Sequence, residues 1–147
     1  MRTFVTCNVT LIIMYTPEWM QNLANQIAGD IVNSPERGRL IQNYRNKMHL
    51  TQEEMSQIMR LRRETISRIE NGKVTPTLVF IHVFSGVMAL MESVKTYRSQ
   101  NLGIEYPYFS RLGAELGVPQ DRISSIIDLA IHSFDEKRSK AIRSLEV

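Results

Sequence analysis

Arg62, Arg63, Glu64, Ser67 and Arg68 bring charged and hydroxyl groups together on one short segment of the chain. If that segment is helical, Arg63, Glu64, Ser67 and Arg68 occupy i, i+1, i+4 and i+5 and share one exposed face. Such a face can hydrogen-bond to base edges in a DNA major groove. Arginine grips guanine O6 and N7 with two bonds, and glutamate accepts from a cytosine amino group. No other residue set offers a competing chemistry. His49, His82 and His132 are far apart and lack metal-ligand spacing, and Cys7 is the one cysteine, so neither a thiolate cluster nor an internal disulfide is available. No nucleophile–base set or phosphate loop is present, and the chain is read as a non-enzyme without a cofactor or metal.

The elements that must hold this face are legible around it. Residues 50 to 72 read as two short helices joined by a tight turn, the second ending at the stop signal Asn71-Gly72. Met55, Met59, Leu61, Ile66 and Ile69 are the expected packing residues, with small Ser56 where the helices approach. The charge agrees with this placement. Between Glu36 and Lys73 nine basic residues face five glutamates, whereas the whole chain of 147 residues carries only +3. A local basic patch implies a polyanionic partner.

The run Leu50 to Glu54, Thr65 to Lys73 and then Pro76 resembles the helix-turn-helix of the lambda-repressor/Cro family, also called XRE-like. The likeness extends over roughly Arg37 to Met88, and the lead-in Gly29 to Pro35 is similar to that of archaeal regulators of this class. The resemblance implies an all-α fold: a five-helix-type lambda-repressor-like DNA-binding domain with a short N-terminal helix and a C-terminal helical, dimerising extension. It assigns bracing to Thr51–Met59 and base reading to Arg63–Asn71, with Arg62 beside them. Phosphate contacts fall to Gln52, Thr65, Asn71 and Lys73, which would set register and not sequence. Arg45 and Glu70 are implied to pair as a structural salt bridge between the first helix and the end of the reading helix. Two residues depart from the family pattern. Arg60 replaces the usual turn glycine at a position expected to want positive φ, and Arg62 replaces the usual Ser/Thr cap. Both add positive charge at the start of the reading helix.

Three units follow along the chain: 1–33 as an N-terminal arm with a short amphipathic helix, 34–100 as the DNA-binding domain, and 101–147 as a helical hairpin. Met1 to Ile13 is too short and polar for a membrane span and shows no cleavage site. Met14, just before Thr16, Pro17 and Glu18, is a candidate translation start. From Glu18 to Ala28, Trp19, Leu23 and Ile27 recur every fourth residue, and Gly29 is the expected stop. Ser34-Pro35 then opens a helix over 36–48.

Thr77 to about Gln100 reads as a long helix whose first part is apolar on almost every side. Its apolar run is about 14 residues and is interrupted by His82, Ser85 and Gly86, short of the ~20 that a membrane span needs. One stripe covers the helix-turn-helix. A second, Phe80, Phe84, Val87, Met91 and Val94, needs another cover, because burying each side chain is worth ~1.5–3 kcal/mol. Either the C-terminal segment or a second copy supplies it. With Ile127, Ile131 and Phe134 these are the candidate dimer-interface residues. Pro107–Leu116 and Pro119–Arg143 form two further helices whose spacing partly repeats the first motif. Their outward positions Gln120, Asp121, Arg122 and Ser125 are net neutral, so a dimerising hairpin is preferred to a second DNA reader. The partners read from the sequence are double-stranded DNA and a second copy, with no membrane. A protein-interaction module of the same fold, with a protein partner, is the alternative. A reducing cytoplasm fits the lone cysteine.

Overall fold

The computed structural model describes residues 18–146, and within them seven helices and no strand. The candidate start at Met14, the cap at Thr16-Pro17 and Cys7 lie outside the described residues. The helices are α1 (Glu18–Asn33), α2 (Arg37–Lys47), α3 (Gln52–Met59), α4 (Arg63–Glu70), α5 (Leu78–Ser99), α6 (Tyr106–Glu115) and α7 (Gln120–Glu146).

α5 is the axis of the molecule. Phe84, Val87, Met88, Leu90, Met91 and Val94 are wholly buried, because α1 and α7 lie along α5 while α3 and α6 close its remaining sides. By length and composition alone α5 could cross a membrane, but 67% of its most apolar window is buried inside this bundle. Thr77 caps its start, accepting the Phe80 amide at 3.0 Å.

α1 differs from expectation in face and length. Its buried stripe is Met20, Ala24, Ile27 and Ile31, and Trp19 is exposed. Gly29 does not stop it. The buried Ile31 lies two residues beyond that glycine, and its packing favours continuing the helix to Asn33.

That longer α1 explains the second apolar stripe on α5. Phe80, Phe84, Val87, Met91 and Val94 are 0–6% exposed within one chain, and Ile127 is buried with them. Phe80 stacks on Phe84 at 5.9 Å, and Tyr44 meets the same ring edge-on at 6.5 Å. These six side chains have no surface left for a second copy, which corrects their reading as interface candidates. Ile131 and Phe134 are half-buried. The large apolar groups that do face outward include Val74, Leu78 and Val79 before and at the start of α5, and Ile142 and Leu145 near the end of α7.

α2, α3 and α4 are held by short-range devices. Gly38 of α2 passes so close to the end of α4 that a Cβ there would overlap the Ile69 carbonyl oxygen. Thr51 and Glu54 form a complete capping box at the start of α3, a device whose signature is the Thr-to-Glu spacing of three residues. α3 ends at Arg60, which is left-handed with φ +52°, and Leu61 donates back to the Ser56 carbonyl at 3.0 Å. Leu61, expected inside, is exposed at the turn.

Candidate nucleic-acid interface

α4 presents its hydrogen-bonding groups to solvent because Ile66 and Ile69 pin its opposite face to the core. Arg63, Glu64, Ser67 and Arg68 line one concave surface, rimmed by Gln52, Asn71 and Lys73. Arg62, in extended conformation with no side-chain cap bond, is exposed just before that surface. Thr65, expected at phosphate, is half-buried and does not line it. The helix stops at Gly72, whose φ of +76° lets the Gly72 and Lys73 amides donate back to Ile69 and Arg68.

The charges on this surface are uncompensated. Among the described residues, Arg62, Arg63, Arg68 and Lys73 form no ion pair, although Glu64 shares the face. Elsewhere the same chain does pair its arginines: Arg98 holds Asp135 at 3.0 Å. Exposed, unpaired guanidiniums on one helix face retain all their donors for a planar acceptor.

Beneath the surface a buried network sets the angle of α4. Arg45 donates to Glu70 through Nε at 2.7 Å and Nη2 at 2.9 Å, and its Nη1 reaches the Leu50 carbonyl at 2.7 Å. The pair therefore ties α2, the loop before α3 and the last residue of α4 together. Gln52 joins it, its Nε2 donating to Glu70 at 3.1 Å. One amide hydrogen of this expected phosphate ligand is thus already used, and its carbonyl oxygen is left as an acceptor. Asn71 donates to the Ser67 hydroxyl at 3.3 Å, coupling the rim to the exposed face of α4.

Residues 41–81 match the family model described as Helix-turn-helix. Over this stretch the chain is similar to helix-turn-helix segments. No curated protein and no solved structure matches the chain. The match runs from α2 into the first turn of α5, so α1, α6 and α7 lie outside it.

Two expectations about the edge of this helix-turn-helix change. Arg60 does not add free charge to the groove end of α4; its guanidinium pairs with Asp121 at the start of α7. Arg122 donates to the Ile58 carbonyl at 2.7 Å, docking the same end of α7 on the C-terminus of α3. Asp121 and Arg122 were two of the four outward groups a second helix-turn-helix would need. Here both face the first motif. Sequence spacing alone could not reveal this, because the partners lie more than sixty positions apart.

Arg60→Gly is expected to leave stability within ~1 kcal/mol of the parent. Relief of the left-handed residue returns ~1 kcal/mol, which offsets an exposed ion pair worth ~0–1 kcal/mol. A urea midpoint reads this directly, and a loss above ~2 kcal/mol would mean that the Asp121 contact carries more than a surface pair does.

Proposed function

We propose that this protein is a sequence-specific transcriptional regulator that works in the cytoplasm as a homodimer on an inverted-repeat operator, with α4 in the major groove. The observation that carries this reading is the reading face itself: Arg63, Glu64, Ser67 and Arg68 converge with unpaired cations, next to Asn71 and Lys73. Arg63 and Arg68 suit guanine, and Glu64 suits a cytosine amino group. Lys73 and Asn71 hold phosphate and set register. With the α5 stripe buried, Val74, Leu78 and Val79 offer an apolar surface beside the reading helix for a two-fold contact. In a dimer of this class the two reading helices lie ~34 Å apart, one turn of the duplex.

Anisotropy on labelled genomic fragments across a salt series tests the reading. A regulator selects a fragment that survives competitor DNA and shows a steep salt slope; equal affinity for all fragments would end the operator claim. On the selected fragment, Arg63→Ala is expected to relax preference at one base pair, at a cost of ~1–3 kcal/mol. Lys73→Ala is expected to weaken every sequence alike and to lower the salt slope by ~0.9. Sedimentation of the protein–DNA complex reads the stoichiometry, and one chain per inverted repeat would refute the dimer.

A further inference from the structure

A second group of cations gathers away from the reading face, where the end of α2, the body of α5 and the C-terminal half of α7 meet. A groove there is bordered by His49, Thr51, Glu136, Lys137 and Lys140. A neighbouring hollow is bordered by Lys47, Glu92, Lys95, Lys137 and Arg138. From Glu136 to Leu145 every residue of α7 is exposed.

Across the two hollows Lys47, Lys95, Lys137, Arg138 and Lys140 outnumber Glu54, Glu92 and Glu136. Lys140 pairs with Glu136 at 3.4 Å, and that carboxylate also lies 3.6 Å from His132. Glu54 is engaged in the capping box, and among the described residues Lys47, Lys95 and Lys137 form no ion pair. The cations act on one another. Burial lowers the Lys95 ammonium most; Glu92 opposes that, and Lys137 and Lys47 add to it. Burial also lowers His49, with Lys95, Lys137 and Lys140 pushing the same way. Favourable placement at a helix C-terminus accounts for Lys47 and Arg143, which lie in the last turns of α2 and α7. It does not account for Lys95 or Lys137, which sit inside their helices.

The position of this group relative to the helix-turn-helix is what gives it meaning. Thr51 and Gln52 are consecutive at the start of α3. Gln52 borders the reading-face concavity and Thr51 borders the lysine groove. The cationic reading-face concavity and the lysine groove, where Glu54 and Glu136 stand beside Lys137 and Lys140, therefore flank one helix N-terminus. A duplex carries a negative charge every ~1.7 Å of its axis, so one lying on α4 continues past the bases that α4 touches.

We infer that Lys137 and Lys140, backed by Lys47 and Lys95, form a second phosphate-contacting surface by which the C-terminal helix holds the duplex outside the half-site. The inference rests on the DNA-binding reading above. Phosphates carry no base identity, so this surface adds affinity and salt dependence without adding preference.

The test uses the full chain with the double variant Lys137→Gln/Lys140→Gln on two fluorescein-labelled duplexes, the selected fragment and one of mixed sequence, over a KCl series. The salt slope is expected to fall by about 2 on both duplexes, with their affinity ratio unchanged. Lys137→Arg/Lys140→Arg is expected to keep the parent slope. Melting curves establish that the variants fold. If the double glutamine variant does not, Lys137→Gln alone is expected to lower the slope by about 1.

An unchanged slope in a folded glutamine variant overturns the inference, as does a changed affinity ratio. Loss of binding to phosphatidylserine vesicles with an unchanged DNA slope would overturn it by assigning the lysines to a membrane surface. A parent protein that binds neither duplex sinks the regulatory reading itself, which is a separate result.

Discussion

Replacing Glu70 with alanine is expected to lower the unfolding free energy by ~3–5 kcal/mol, with loss of DNA binding following from the loosened fold. The Glu70 side chain is 1% exposed and that of Arg45 9%. The carboxylate receives three donors, two from Arg45 and one from Gln52. Without it the buried guanidinium keeps only the Leu50 carbonyl. Most of the cost is that stranded cation, since removing one partner of a buried pair leaves its charge without compensation. Three segments would lose their common anchor, and α4 would lose its fixed angle to α3. Denaturant midpoints give the stability, and anisotropy below the variant's melting range gives the binding. A variant as stable as the parent but unable to bind would instead make Glu70 a DNA-contacting group. Glu70→Gln keeps the shape and part of the bonding, and is expected to lose less.

Phe84→Ala is expected to cost ~3–5 kcal/mol, by the same amount at every protein concentration. The ring is wholly buried against Phe80 and Tyr44, inside a core that α1 and α7 close. Truncation opens a cavity that rigid neighbouring helices cannot fully collapse. The concentration series carries the distinction. A side chain buried between two copies would make the difference from the parent change on dilution, whereas one buried within a chain would not. A concentration-dependent loss would return Phe84 to an intermolecular interface.

The contrast between these two sites shows how far the sequence reaches. A family resemblance pairs Arg45 with Glu70, twenty-five residues apart, and the chain brings them to 2.7 Å. The resemblance could do this because α2 to α4 pack in one compact, repeated arrangement. Arg60 is the instructive mixed case. Its place in the tight turn indicated positive φ, and φ is +52°. Its charge was misplaced, because the acid that takes it up is Asp121, on a helix that no local rule connects to the turn. Hydrophobicity alone predicts Leu61 beside it in the core, yet the turn leaves it exposed.

The polar face of α4 and the place where the helix ends were legible in the sequence alone. Helix spacing puts Arg63, Glu64, Ser67 and Arg68 on one side, and Asn71-Gly72 ends the helix; both effects act within a few residues. What covers the apolar stripe of α5 was decided only in the tertiary structure. Hydrophobicity requires that Phe80, Phe84, Val87, Met91 and Val94 leave water, but it is non-directional and names no partner. That partner is α1, which runs past Gly29 to bury Ile31, together with α7, whose first turn docks on the end of α3.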